Sequence, residues 1–325
     1  MTASPRDVVA KGPGTVPASA SQPRPAAPLS RGRRGAHRRY VITPLVLASG
    51  VIVLFGLFFF WPGLLGLTYS FTSYKGYGPL KFIGLDNYAR LFKDSSFYAA
   101  LSRTLIYAVF SVPLGYALSL IMALAITNPR AKGTTGARIV FFLPWLVSPI
   151  VTGVIWRWMF GENFGFVNFI IGELGGKSVP WATDGNLALM VVIFASAWSG
   201  AAFNMLLFIA ALNNVPVSYY EAAQLDGANG LQCFRYITLP AIAPTSVLVI
   251  LLLTLGQMKE FALIQALNNG GPGTKNQLIV QYIYKTGFAQ ANVGYASAAS
   301  MVLLVILMII ALVQIAVSRR ANEAW

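Results

Sequence analysis

Lys259 and Glu260 stand side by side near the end of a long apolar stretch, and few other residues here have the means to do chemistry. A charge within a membrane-length apolar segment is costly, so it points to function by default. Neighbours on a helix point apart, whereas Gln257 and Glu260, three apart, share a face. The group serves either to line a cavity or to make an end-of-helix contact, with Lys259 snorkelling to the interface. Asn204 lies inside another apolar stretch, where it suits a hydrophilic path or a hydrogen bond between helices. Gln281 neighbours Tyr282 and Tyr284, and aromatic faces with amides suit a sugar. Arg157, between Trp156 and Trp158, reads as an interfacial anchor.

Catalysis by this chain is not expected. His37 is the sole histidine and Cys233 the sole cysteine, which rules out an internal disulfide and leaves no set of metal ligands. The segment GELGGKS at Gly172–Ser178 approaches a phosphate-binding loop, but the pattern needs glycine at position 171, where Ile171 stands. Any ATP used with this protein is therefore hydrolysed elsewhere, and no cofactor is expected on the chain itself.

These residues are carried by membrane-spanning elements. The 325 residues are 56% hydrophobic and 10% charged, against about 25% charged in soluble domains. Six stretches without charge reach the length a helix needs to cross hydrocarbon: Val41–Tyr74, Thr104–Pro129, Ile139–Trp156, Gly185–Tyr220, Tyr236–Met258 and Thr286–Ser318. The helices proper are expected over residues 42–70, 104–127, 139–160, 187–212, 242–264 and 293–318. The fold class is thus an all-α membrane protein of six transmembrane helices. Pro113, Pro144, Pro149 and Gly256 interrupt these spans, as in bundles that pack around an internal path. Gly294 and Ala298 give small-xxx-small spacing for close helix packing.

Residues 1–39 have no apolar period and end in RGRRGAHRR, so a disordered basic tail precedes a transmembrane domain over 40–325. The net charge of +14 gathers in that tail and in short loops rather than on one folded face, which argues against nucleic acid. The tail's arginines and Arg319–Arg320 put both termini in the cytoplasm, with membrane lipid as a further contact of the basic cluster. Lys75, Lys81, Arg90 and Lys93 fall on the outer side, so the charge bias is not uniform.

With six spans, the polar stretch 214–240 between the fourth and fifth falls in the cytoplasm. Ser218 followed by Glu221 predicts a capping box and a helix over Ser218–Asp226, which Gly227 ends in a left-handed conformation. Asn229 with Gln232 offers a second, weaker cap, and Pro240 stops the helix that follows. A short exposed helix bearing small residues suits a groove on another protein.

Written as EAA, three residues, G, nine residues, I-x-LP, this stretch is Glu221-Ala222-Ala223, Gly227, Ile237, Leu239-Pro240. It resembles the cytoplasmic signature of permease subunits in binding-protein-dependent ABC importers. FIGLDNYARLF at Phe82–Phe92, NNGGPGTKNQLIVQYIYKTGF at Asn268–Phe288 and VGYASAAS at Val293–Ser300 resemble the carbohydrate branch of that family. The resemblance runs from about residue 40 to the end. It implies the type I importer fold, with Ser218–Asp226 as a coupling helix seated in a cleft of the ATP-binding subunit. Glu221 would make a polar contact there, Ala222 and Ala223 allow close approach, and Asp226, Gly227, Ile237, Leu239 and Pro240 complete the motif. It also implies a second homologous permease, two ATP-binding subunits holding ATP and Mg, an extracytoplasmic solute-binding protein, and a prokaryotic plasma-membrane location. Many relatives carry aspartate after the phenylalanine corresponding to Phe261; Ala262 here departs from that pattern and weakens a substrate borrowed from maltose-type systems.

The expected cargo is a sugar or oligosaccharide, contacted by Asn204, Gln257, Lys259, Glu260 and Gln281. The alternative from the same branch is glycerol-3-phosphate or a glycerophosphodiester, with Lys259 and Arg157 as the basic candidates. An autonomous channel or ion-coupled transporter is the more distant class, marked by internal repeats and midplane charges that this sequence lacks.

Overall fold

A computed structural model describes residues 48–128 and 131–323, and the side chains as far as Ser318. The expected tail over 1–39 and the start of the first span lie outside the described residues. The chain divides at Phe59/Phe60 into two units. The described part of the first, residues 48–59, is helical, with Phe55 and Phe59 stacked at 4.5 Å and an apolar surface that includes Val51, Val53 and Phe58.

The second unit contains α1 (Trp61–Ser70), α2 (Asp86–Leu91), α3 (Ser95–Thr127), α4 (Thr134–Leu146), α5 (Pro149–Met159), α6 (Phe166–Glu173) and α7 (Gly185–Asn213). After these come α8 (Val217–Leu225), α9 (Gly230–Ala241), α10 (Ala243–Met258), α11 (Ala262–Leu267), α12 (Ile279–Tyr284) and α13 (Val293–Glu323). The one β-type pairing among the described residues is an isolated bridge between Thr72 and Phe82.

Carboxylates start the two longest inner helices. Asp94 accepts from Ser96 N at 2.8 Å at the head of α3, and Asp184 accepts from Asn186 N and Leu187 N at 2.8 and 2.9 Å at the head of α7. Each satisfies amides that the helix leaves open and complements the helix dipole. The cap at Asp94 explains why α3 begins nine residues before the expected Thr104, at Ser95.

Among the described residues four helices are long and apolar enough to cross a membrane: Ala48–Ser70, Ser95–Thr127, Gly185–Asn213 and Val293–Ser318. The expected third and fifth spans are not straight helices. The third is α4 and α5, bent by 99° at Val147–Ser148, where the residues ahead of Pro149 take extended backbone as a proline demands. The fifth is α9 and α10, bent by 70° at Ile242 ahead of Pro244. Counting each bent pair as one span gives six. The fifth also ends sooner than expected, since α10 stops at Met258 and α11 begins anew at Ala262.

Three buried clusters follow α3 along its length, about 50 Å at 1.5 Å per residue. At its start Phe97 packs with Leu91, Ile279, Tyr282 and Tyr295. In the middle Tyr107 packs with Val192, Leu263 and Ile264, and beyond it Leu120 and Ile126 pack with Met205, Phe208 and Ile242. α7 lies along α3 and spans about 43 Å. Its first residue is tied by Asn276 Nδ2 to Gly185 O at 2.9 Å, and its last leads into 214–240, so these two loops occupy opposite ends of the unit. Of the small pair on α13, Gly294 permits a close approach: a Cβ there would lie 2.1 Å from Thr72 O.

Candidate functional site

Pro216 N-caps α8 by its fixed backbone, without a side-chain cap. The expected Ser218–Glu221 capping box is therefore absent. The rigid φ of Pro216 starts the helix at Val217, and Ser218 falls inside the first turn rather than in the extended conformation a cap needs. The helix runs over Val217–Leu225, with Asp226 as its C-cap residue. Gly227 then takes φ +78°, Ala228 N donates to Ala223 O at 2.9 Å and Gly227 N to Gln224 O at 3.1 Å. That pair of bonds is a Schellman closure, which favours glycine at its left-handed position.

The weaker of the two expected caps is the one that forms. Gln232 N donates to Asn229 Oδ1 at 2.9 Å and Asn229 N to Gln232 Oε1 at 2.7 Å, a reciprocal capping box at the head of α9. The Tyr220 and Thr238 hydroxyls, 2.9 Å apart, tie α8 to α9. Pro240 lies in the last turn of α9, one residue before its end at Ala241.

This arrangement sorts the signature residues. Glu221, Ala222, Asp226 and Gly227 are exposed, Ala223 is half-buried, and Leu225 beside them is 90% exposed. Ile237, Leu239 and Pro240 are half-buried, and Leu239 packs on the cluster of Leu120, Phe208 and Ile242. The loop thus presents a short helix with a carboxylate, small residues and bare apolar side chains, while the later part of the motif anchors it to the bundle. The exposure of Tyr219, Leu225 and Leu231 had no signal in the sequence, since apolar residues in a loop read equally well as packed.

The polar residues of the bundle are largely engaged in hydrogen bonds within the chain. Asn204 is buried and donates to Gly200 O of its own helix at 2.9 Å, leaving Oδ1 without a partner. Gln257 is buried and accepts from the Tyr107 hydroxyl. The break between α10 and α11 separates the charged neighbours: Lys259 is exposed, while Glu260 Oε1 accepts from Phe261 N and Leu263 N, each at 3.0 Å, and caps α11. Gln281 has no exposed surface; its Nε2 donates to Gln265 Oε1 at 2.9 Å and its Oε1 accepts from Leu278 N at 3.2 Å. Tyr282 is also buried, whereas the Tyr284 ring lies tilted between those of Phe261 and Phe288, with centroids 5.0 and 5.1 Å away. Among the described residues no group of three or more His, Cys, Asp or Glu is placed to hold a metal.

At the end of the unit away from α8, two features escaped the sequence. Asp94 Oδ2 accepts from the Tyr282 and Tyr295 hydroxyls at 2.6 and 2.8 Å, and the Arg90 guanidinium lies 4.5 Å from the Tyr295 ring centre. Burial pushes the Asp94 pKa up, but these hydroxyls and the Ser96 amide outweigh it and hold the carboxyl below its ordinary value. In the segment after α5, Glu162 Oε1 accepts from Thr183 N, Ala182 N and Thr183 Oγ1 at 2.6, 2.8 and 2.8 Å, which lowers its pKa. An open cleft of about 740 Å³ lies beside it, bounded by Trp158, Glu162, Asn163, Phe164, Phe166 and Phe169.

Comparison with known proteins accounts for this assembly of helices and loop. Residues 89–322 match the family described as the binding-protein-dependent transport system inner membrane component. The chain is 33% identical over 267 residues to the sn-glycerol-3-phosphate transport system permease protein UgpA of Agrobacterium fabrum, covering 82% of this chain and 90% of that one. It is 30% identical over 298 residues to the arabinooligosaccharides transport system permease protein AraP of Bacillus subtilis, covering 91% and 95%. Among solved structures, a chain of a bacterial alginate ABC transporter in complex with an alginate pentasaccharide-bound periplasmic protein superposes with a TM-score of 0.77 at 26% identity, over 90% of this chain and 99% of that one. The all-helical architecture, with its four to six candidate spans, is that of a type I importer permease. This chain belongs to the family of inner membrane components of binding-protein-dependent transport systems, and it is a transport subunit rather than an enzyme.

Proposed function

We propose that this chain is a permease subunit of an ATP-driven importer in a prokaryotic plasma membrane, carrying a sugar or oligosaccharide delivered by an extracytoplasmic binding protein. The observation that supports this best is the exposed α8 with its Glu221-Ala222-Ala223 run, closed by Gly227 and braced by Tyr220 on Thr238. A helix closed at its C-terminal end and tied to α9 can pass a displacement on to the bundle. In this reading 214–240 faces the cytoplasm with both termini, and the span-bearing domain is 40–325.

The partners follow from that role. Two ATP-binding subunits hold ATP and Mg and receive α8 in a cleft, a second homologous permease completes the path, and the binding protein docks on the opposite face. Glu221, Ala222, Ala223 and Asp226 make the contact. Gly227 shapes the turn, and Ile237, Leu239 and Pro240 pass its movement to the bundle. Gln257 and Asn204 face inward and serve the path or its packing, while Gln281 and Glu260 hold α11 and α12 in place.

A second cargo has its own support, since the relative from Agrobacterium fabrum is a glycerol-3-phosphate permease. The test is ligand binding by the cognate solute-binding protein over a panel of neutral oligosaccharides and glycerophosphates, followed by uptake in proteoliposomes holding all subunits. Uptake of a neutral sugar that requires ATP is expected. Transport by this chain alone, without ATP or partners, overturns the importer reading.

A further inference from the structure

The segment linking α5 to α7, residues 160–184, is built more rigidly than a connector requires. Asn168 is 8% exposed and donates to Glu162 O, Ser178 Oγ and Val179 O at 2.9, 2.8 and 2.9 Å; its Oδ1 accepts from Val179 N and Trp181 Nε1 at 3.1 and 2.9 Å. Beneath it Trp156 and Phe160 stack at 5.4 Å, and Phe160 meets Trp181 edge-on at 5.1 Å. The turn Gly161–Gly165 is too tight for a side chain at its end, since a Cβ on Gly165 would lie 2.2 Å from Gly161 O. That turn carries Asn163 and Phe164 outward, while Glu162, which also borders the clefts, is held to the frame through Oε1 by Ala182 and Thr183.

The projecting groups have a consistent chemistry. Phe164 is 92% and Trp158 70% exposed, and both border the cleft of about 740 Å³ and an adjoining one of about 470 Å³. Arg157, Glu162 and Asn163 share the smaller cleft with them. Volumes of this size hold small ligands. Aromatic faces stack on the C–H faces of a pyranose or furanose ring, and guanidinium, carboxylate and amide groups hydrogen-bond its hydroxyls. Because the frame is already ordered, binding costs little further entropy. A hydrocarbon occupant would bury Arg157 and Glu162 away from water, which is unfavourable. Arg157 and Glu162 place opposite charges on the smaller cleft, which suits an uncharged ligand better than an anion.

We propose that the clefts between the end of α5 and the start of α6 form a subsite for a neutral oligosaccharide, with Trp158 and Phe164 as stacking platforms and Arg157, Glu162 and Asn163 as hydroxyl partners. The site lies at the head of α7, about 43 Å from its α8 end. This inference rests on the sugar-importer reading and adds a contact for the cargo on the permease at the face opposite α8.

The test uses the complete transporter in nanodiscs and saturation-transfer NMR with maltotriose, raffinose and arabinotriose, with sn-glycerol-3-phosphate as the anionic comparison. Transfer to at least one trisaccharide and none to the phosphate is expected. Trp158→Ala and Phe164→Ala should each weaken binding about tenfold, with unchanged recovery of the ATP-binding subunits. Undiminished transfer in both variants, or no transfer from any trisaccharide while ATP-driven sugar uptake proceeds, overturns the subsite and leaves the importer reading intact. Uptake of sn-glycerol-3-phosphate alone overturns the sugar reading and the subsite together. If the two variants alter exchange of spin-labelled lipid and leave trisaccharide binding unchanged, the surface is a membrane contact and the proposal fails.

Discussion

The Asp94 carboxylate takes the Tyr282 hydroxyl at 2.6 Å across 188 residues of chain, and with its other oxygen it caps α3. One side chain therefore joins the start of α3 to α12 and, through Tyr295, to α13. Asp94→Ala removes both functions, and a loss of about 2 kcal/mol is expected. Tyr282→Phe leaves the cap and the Tyr295 bond, so its loss is about 1 kcal/mol. Thermal unfolding of the purified transporter checks the order: a Tyr282→Phe variant less stable than Asp94→Ala contradicts it.

The left-handed backbone of Gly227 disfavours any residue with a branched Cβ. Gly227→Val should strain the turn by about 1–2 kcal/mol and lower recovery of the ATP-binding subunits. Glu221→Ala touches an exposed side chain, so melting should be unchanged while ATP-dependent uptake falls. Normal uptake and normal complex recovery in both variants remove α8 from the coupling role.

Asn168 joins five hydrogen bonds in a short segment. Asn168→Ala leaves partly buried partners unmatched, at a cost of about 1 kcal/mol. Amide exchange over 162–181 should rise selectively, with α3 and α7 still protected. Exchange that rises uniformly means that the segment is not a separate frame.

The same segment should respond to acid. Hydrogen bonds from Thr183 and Ala182 lower the Glu162 pKa below its ordinary 4.5. A depressed carboxyl stabilises the fold above its unfolded pKa, and that contribution is lost as pH falls through the lower folded value. Protection of the Ala182 and Thr183 amides should therefore hold at neutral pH and decline below 4.5. Glu162→Gln should abolish the acid step. A step of equal size in that variant assigns it to another group.

Much of the architecture was legible because hydrocarbon imposes strict rules. Charge-free stretches of membrane length fell on four long apolar helices and two bent helix pairs, and the I-x-LP spacing after Glu221-Ala222-Ala223 and Gly227 marked the stretch that holds the exposed helix between α7 and α9. Gly227 also announced its own conformation, since the helix end beside it needs a positive φ. Such features are local, set by length, hydropathy and backbone sterics over a few residues.

Tertiary structure decided which competing local option was realised. The N-cap of α8 fell at Pro216, two residues before Ser218, so the Ser218–Glu221 box did not form, and the break at Lys259 turned the Glu260 carboxylate onto the first amides of α11. Gln281 looked suited to a sugar until burial against Gln265 occupied its amide. The partners that settled the bonds of Asp94 lie 188 and 201 residues away. Hydropathy tells a residue whether to leave water; only the packed chain tells a polar atom which partner meets it there, because one hydrogen bond depends on positions that many distant residues set together.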